Sequence, residues 1–260
     1  MKFEWFVGVI CLSVLSSCAT AGSVTEIEGA RVDTIREEYT NIHVVRVGGK
    51  AVLIDAGLER SAGAITRRLE EMGVGADDVT AVVVTHGHAD HAGGAAKLRE
   101  ALGAKVVIGA GDTVMLEEGR ITGLCPTSDM ARDRMEDDQS EHFEPYEADV
   151  VLSEDADLMA LAGVPGRVLR VSGHTEGSLV VVVGDAAFVG DMFRGAIIGF
   201  GAEKHFYMCD MDDNLRDIRA LLDANPGLAH FFPGHFGPLT RDQVEELWAR
   251  EDAALRASRE

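Results

Sequence analysis

The chain has 260 residues, with 44 acidic against 24 basic side chains and a formal charge of −20. That length suits one α/β domain with a substantial core and is short for two. A negative surplus this large repels polyanions at long range, which argues against nucleic acid or an anionic lipid surface as a partner. The acidity reads instead as a solvated, solubilising face.

Residues 1–17 stand apart from the rest. Lys2 gives a minimal basic start, and Phe6 to Leu15 form an apolar run too short to cross a bilayer comfortably. The following Leu15-Ser16-Ser17-Cys18 resembles the lipobox of bacterial lipoproteins. That resemblance implies a cleaved signal peptide, acylation of Cys18, and contact with the membrane through that lipid anchor only. It also implies a place in the cell envelope, on the periplasmic face of the outer membrane, because Ala19 rather than an acidic residue follows. Of the other cysteines, Cys11 goes with the signal. Nothing in the spacing of Cys125 and Cys209 says that they pair, and a small buried side chain is the default reading of each.

Thr40 to Ala56 reads as two strands joined through Gly48-Gly49-Lys50, a hairpin signal, with Asp55 and Gly57 at the far end. Ser61 to Met72 is an amphipathic helix: Ser61 is placed to cap it, Ile65 and Leu69 share a face, and Gly73 ends it. Val82, Val83 and Val84 then read as a buried strand, and directly after it come His86, His88, Asp90 and His91. In extended chain, positions i and i+2 share a face, so His86 and His88 can converge on one point. Asp90 and His91, where the chain turns into a helix running to Leu102, can converge on a second. Imidazole nitrogens with a carboxylate suit zinc, and iron or manganese as well. Gly93 and Gly94 let the first turn of that helix lie close to a neighbour.

Lys105–Gly109 is a further strand and Asp112–Glu118 a short helix. Residues 119–147 break the alternation. This stretch is acidic, yet Met130, Met135, Phe143 and Tyr146 need something to pack on, which suggests a substrate-shaping lid. Strands follow at Arg167–Val171, Ser178–Val183 and Ala186–Val189, placing His174 and Asp191 at strand ends. Phe193 to Asp210 reads as loop and carries Arg194, Lys204, His205 and Tyr207, basic or hydroxyl groups placed to meet a substrate. A helix over Asp212–Leu222, a strand over Ala229–Phe232 and a Thr-capped helix from Thr240 complete the chain, with His235 after the last strand. His43 and His142 fall outside any ligand pattern.

The HGHADH, SGHTEGS, VGDMF and PGHFGP segments, in this order, resemble the ligand motifs of metallo-β-lactamase-fold hydrolases. The resemblance spans roughly Thr40 to Leu239. It implies an α/β fold of the αβ/βα four-layer sandwich type and two divalent ions, zinc first among them. His86, His88 and His174 would hold one ion and Asp90, His91 and His235 the other, with Asp191 between them and Asp55 supporting the loop from behind. Asp90 would also carry a proton to the leaving group. The implied reaction is hydrolysis of an ester, lactone, thioester or amide of a small molecule by water shared between the ions, with no nucleophilic side chain. Metallo-β-lactamases proper have cysteine or serine where Asp191 stands, so lactonases and thioester hydrolases are the better match. Two alternatives remain: a mononuclear iron enzyme resembling persulfide dioxygenases, and a metal-binding envelope lipoprotein without turnover.

Overall fold

Most strands of this protein are apolar on both faces, so each must be covered twice. In the computed structural model, which describes residues 22–260, that requirement is met by two sheets packed face to face with helices outside both. The signal-like segment 1–17 and Cys18 lie outside the described residues. Among the described residues no helix is long and apolar enough to cross a membrane.

The first sheet has seven strands in sequence order: β1 (Ser23–Ile27), β2 (Ala30–Glu37), β3 (Thr40–Val47), β4 (Lys50–Ile54), β5 (Val79–Val83), β6 (Lys105–Gly109) and β7 (Val150–Leu152). Its first four strands are antiparallel, and β4 to β7 run parallel. The second half of the chain supplies β8 (Ala156–Asp157), β9 (Arg167–Arg170), β10 (Leu179–Val183) and β11 (Ala186–Gly190). A detached hairpin, β12 (Arg194–Gly195) and β13 (Ala202–Glu203), precedes β14 (His230–Pro233) and β15 (Leu239–Thr240). The six strands other than the hairpin form the second sheet, ordered β15-β14-β11-β10-β9-β8, with β11 and β14 parallel.

Strict alternation along the strands produces three cores, and three cores between layers make four layers. Val45, Val52, Ile54, Val83 and Val107 of the first sheet meet Val168, Val181, Val183 and Phe188 of the second in the central core. Their neighbours Val44, Leu53 and Val82 point the other way, onto Ile65 and Leu69 of α1 (Ala62–Glu71). The short α2 (Ala89–Ala92) and α3 (Ala95–Leu102) follow β5, and Leu98 and Leu102 of α3 join that outer core. Three helices occupy the middle of the chain: α4 (Thr113–Glu118), α5 (Asp129–Gln139) and α6 (Leu158–Ala162). On the far face, Val180, Val182 and Phe231 pack on Leu215, Ile218 and Leu222 of α7 (Met211–Ala224) and on Val244 and Leu247 of α8 (Arg241–Ala257). Each such fully buried aliphatic side chain is worth about 1.5–3 kcal/mol relative to exposure. The expected four-layer αβ/βα sandwich is the fold.

Local expectations fare unevenly. The helix expected to run on to Leu102 is two pieces, broken at Gly93-Gly94. A Cβ on Gly94 would stand 2.2 Å from the carbonyl oxygen of Ala56, so glycine is what allows this close approach. Ser61 occupies the N-cap position of α1 but makes no capping hydrogen bond, because the turn Glu59–Ser61 runs straight into the helix. Thr240 does cap α8, in a reciprocal box with Gln243. Residues 119–147 are not loop throughout: they contain α5, capped by the Ser128 hydroxyl. The largest correction concerns Cys125 and Cys209. They form a disulfide, and neither is buried. A separation of 84 residues gave no hint of this, since only tertiary folding brings the lid to the loop before α7.

Candidate metal centre

The two sheets meet at one rim, and the polar residues of the motifs collect there. β5 continues past its last paired residue: Val84 N–H reaches Val107 O at 2.9 Å, and Leu179 N–H donates to Thr85 O at 2.7 Å. That second bond ties the end of β5 to β10 and delivers His86 and His88 beside His174. His86 Nε2 and His174 Nε2 are 3.1 Å apart, and His174 Nε2 and His88 Nδ1 3.2 Å. Three imidazole nitrogens cannot all satisfy one another by hydrogen bonds. Zinc–nitrogen bonds of about 2.0–2.1 Å at a tetrahedral angle place donors roughly 3.3 Å apart, close to the spacing seen.

A second group lies alongside. His91 Nε2 and His235 Nε2 are 3.4 Å apart, and each is 3.3 Å from Asp90 Oδ2. Asp191 stands between the groups, with Oδ1 3.4 Å from His91 and Oδ2 3.3 Å from His235, 3.6 Å from His174 and 3.7 Å from His86. The structure therefore brings together all seven side chains that the motifs single out, as His86, His88, His174 and Asp191 in one set and Asp90, His91 and His235 in the next. The backbone packs tightly against these side chains as well. A Cβ at Gly234 would lie 2.4 Å from the His91 ring and 2.6 Å from Asp191 Oδ1.

Except in His88, whose Nε2 is buried without a hydrogen-bond partner, each inward-facing nitrogen is fixed by what its ring's other nitrogen does. His86 Nδ1 meets the Thr85 hydroxyl at 3.1 Å, and His91 Nδ1 meets Asp55 Oδ2 at 2.8 Å. His174 Nδ1 donates to Tyr207 O at 2.8 Å, and His235 Nδ1 to Tyr39 O at 2.9 Å. Carbonyl and carboxylate partners of this kind are how metal-binding histidines are oriented and kept in the right tautomer. The expected support from Asp55 is present: its carboxylate also takes the Thr85 N–H at 2.7 Å and hydroxyl at 3.0 Å. Asp112 plays a comparable part that the sequence did not reveal. It accepts from Gly87 N–H at 2.8 Å, from Gly177 N–H at 2.9 Å and from the Thr175 hydroxyl at 2.8 Å. It thereby locks the His86–His88 loop to the loop after His174.

A sequence model of the metallo-beta-lactamase superfamily matches residues 35–235 of this chain. The chain belongs to the metallo-β-lactamase superfamily. Among curated relatives, an uncharacterised protein of Mycobacterium leprae is 31% identical over 173 residues, covering 62% of this chain and 73% of that one. A beta-lactamase-like protein 2 homolog of Caenorhabditis elegans is 23% identical, over 86% of this chain and 65% of its own length. A metallo-β-lactamase variant from Cronobacter sakazakii superposes with a TM-score of 0.64 at 20% identity, covering 89% of this chain and 92% of that one. A metallo-β-lactamase family protein from Thermus thermophilus gives 0.60 at 23% identity, covering 89% and 82%.

Within this superfamily fold the electrostatics divide by group. Burial pushes His86 and His88 well below the ordinary histidine range, and repulsion from neighbouring imidazoles adds to it, chiefly from His91 on His86 and from His174 on His88. Burial also works against protonated His91, but Asp90, Asp191 and Asp55 outweigh it and raise that ring well above its usual value. His235 is raised in the same way, chiefly by Asp191 against the burial that lowers it. Burial would raise Asp90 and Asp191, yet the surrounding imidazoles hold both below the usual carboxylate range. Three carboxylates, two of them almost dry, thus face a cluster of histidines. Divalent cations are the counter-charge that suits such a set.

The rim opens into a cavity with an apolar wall that includes Ile121, Leu124, Met130, Ile197, Phe206 and Phe236. Ile121, Leu124 and Met130 come from residues 119–147, so that segment forms part of the cavity wall. Its helix α5 is held by the Tyr207 hydroxyl, which donates to Asp138 Oδ2 at 2.5 Å and lies 3.1 Å from Ala131 O. Arg60 ties the far end of the lid to the β2–β3 turn by bridging Glu141 and Glu38.

The substrate residues expected from the 193–210 loop need correcting. Arg194 does not line the cavity: the β12–β13 hairpin turns it inward, paired with Glu203 and lying 4.1 Å over the Phe206 ring. Lys204 is on the outer side of that hairpin, 3.6 Å from Glu251 of α8. Tyr207 does line the cavity, but its hydroxyl is committed to the lid. Arg134, on α5, is the guanidinium that the cavity wall does contain. His43 is a packed core histidine, between Thr34 and Pro233 O.

Proposed function

We propose that this protein is a binuclear metallohydrolase that cleaves a carbonyl bond (ester, lactone or thioester) in a small substrate with an apolar acyl or ring portion. The observation that carries the reading is the joint convergence of His86, His88, His174 and Asp191 with Asp90, His91 and His235, at the floor of an apolar-walled cavity. Two divalent ions in these sets would supply Lewis acidity and a water acidic enough to lose its proton near neutral pH. The remaining work falls to the chain. Asp191, fixed between the sets, holds them in register. Asp90 and Asp191 both line the cavity, and Asp90 is the more open of the two, its side chain 14% exposed against 2%. Thr40 donates to its Oδ2 at 3.0 Å and holds it in place, so Asp90 is placed to pass a proton to the leaving atom. The apolar wall orients the acyl part and excludes water around the carbonyl.

An aspartate at position 191, rather than cysteine or serine, supports a lactone or thioester substrate over a β-lactam. Arg134 on the wall is shared with Asp138 at 3.3 Å, so at most one anionic group on the substrate finds a partner. With metal-loaded protein, kcat/KM measured on a lactone, a thioester, a simple ester, a β-lactam and bis-p-nitrophenyl phosphate should be highest for the first two. Preference for the phosphodiester, or no turnover of any carbonyl substrate by protein holding two ions, would refute the proposal.

A further inference from the structure

Next to the seven expected side chains lies an eighth that no motif names. His205 is 3% exposed, and its Nε2 is 3.0 Å from Asp191 Oδ2. At that distance a hydrogen bond would be expected, yet Nε2 of His205 has no hydrogen-bond partner, because its N–H direction misses the carboxylate. Asp191 Oδ1 is buried and unpartnered too. A buried ring nitrogen and a buried carboxylate oxygen are thus both left available to a cation. His235 Nε2 completes that arrangement: the donor atoms of Asp191, His205 and His235 all lie within 4.8 Å of one another.

The other nitrogen of His205 has the partner of a metal-bound imidazole. Its Nδ1 is 3.2 Å from Tyr207 O, the same carbonyl that receives His174 Nδ1–H at 2.8 Å. One oxygen with two lone pairs therefore orients two rings, and leaves both Nε2 atoms free to face the centre. The ring stacks on His235, with centroids 5.3 Å apart, and stands edge-on to His174 at 4.9 Å. The backbone holds it there from the lid side. Thr127 donates its hydroxyl to His205 O at 2.8 Å and its N–H to Phe206 O at 2.8 Å, two residues from the Cys125–Cys209 bond.

We infer that His205 is an additional metal donor, joining Asp191 and His235 on one ion of the centre. The inference rests on the metal-binding reading above. Its competitor is a positioning role, in which His205 carries its proton on Nε2 to steady Asp191 while Nδ1 accepts from Tyr207 N–H, 3.3 Å away. The two differ in which nitrogen is protonated and in whether a metal is touched.

Proton NMR of the wild-type protein loaded with cobalt(II) separates them without any variant. Each metal-bound imidazole gives a strongly shifted, solvent-exchangeable N–H signal. One more such signal is expected than His86, His88, His91, His174 and His235 supply, and a count limited to those histidines overturns the inference. Chelator competition provides a second measurement. His205→Gln can still hydrogen-bond Asp191 but is a poor ligand, so it should weaken one of the two ions by at least about tenfold, as His205→Ala should. His142→Ala, an exposed lid histidine, should bind as wild type does. Wild-type affinity for both ions in His205→Gln would assign the positioning role instead. Wild-type protein that takes up no cobalt at all would fail at the earlier step, the metal-binding reading itself.

Discussion

Asp55→Asn is a test of whether the centre depends on the tautomer of one imidazole. Asp55 has φ +68°, a left-handed conformation that asparagine adopts as readily, so the backbone is not the variable. The buried Thr85 N–H, 2.7 Å from Oδ1, needs an acceptor, so the amide oxygen of the variant stays there. The amide NH2 then takes the place of Oδ2, 2.8 Å from His91 Nδ1. Facing a donor, His91 Nδ1 can only accept, and its proton moves to Nε2, among Asp90, Asp191 and His235. Flipping the amide instead leaves the Thr85 N–H unsatisfied, at a cost of about 1–3 kcal/mol. Either route should weaken the ion held by Asp90, His91 and His235 by roughly 10–100-fold, or about 1.4–2.7 kcal/mol. The other ion should be little affected, because His86 meets Asp55 only through the Thr85 hydroxyl, which can accept from both. Asp55→Ala offers no opposing donor and should bind the second ion better than Asp55→Asn, although it is less stable. Stepwise chelator competition on the three proteins checks this. Two ions bound by Asp55→Asn with wild-type affinity would refute the tautomer argument.

Metal-free protein should have a Tm maximum near pH 6.5. Below that pH the unfolded chain takes up protons that buried His86, His88 and His174 refuse, so stability rises with pH; above it, the protons that folded His91 and His235 retain are lost, so stability falls. Thermal melts of apo and metal-loaded protein across pH 5–9 would show it, and an apo Tm climbing steadily through this range would contradict the assignment. Opening the Cys125–Cys209 bond, whose ends are 84 residues apart, should cost up to about 4–5 kcal/mol in the chain-entropy account, roughly 10 °C in Tm. A Cys125→Ser/Cys209→Ser protein should also show a larger KM change than kcat change, since the bond fixes the lid, and unchanged melting under reductant would argue against the bond. We further propose that Cys18 is acylated: Cys18→Ser should move the protein from membrane to soluble fraction and lose fatty-acid label, whereas wild type found wholly soluble would end that proposal.

His86, His88, Asp90 and His91 were legible because short sequence spacings report on local geometry, whereas His174, Asp191 and His235 were singled out by the resemblance of their segments to the ligand motifs of metallo-β-lactamase-fold hydrolases. Two histidines two apart after a valine run must share a face wherever the strand lies. The same holds for the layers, since alternating Val44–Val45 and Val180–Val181 need two different cores. What stayed hidden depends on distant segments. Asp112 looks like an ordinary turn residue until Gly87 and Gly177 are seen to converge on it. Arg194 and His205 both lie in an irregular stretch, where sequence supplies no period to tell inward from outward, and the small hairpin sends Arg194 to Glu203 rather than to the cavity. Cys125 and Cys209 gave no signal because their pairing depends on where the lid comes to rest.

The centre draws His86, His88, Asp90 and His91 from the first half of the chain, and His174, Asp191, His205 and His235 from the second. Each half contributes one sheet, so an ion held there would add one more tie to the hydrogen bonds, the disulfide and the hydrocarbon core that join them. His235 is also the last of these donors to be made, just after β14. A chain interrupted before that point can gather at most a partial set of donors. Complete metal loading would therefore report synthesis at least as far as His235, and a chain cut short before it should be recognisable by its weak grip on metal before any misfolding is visible.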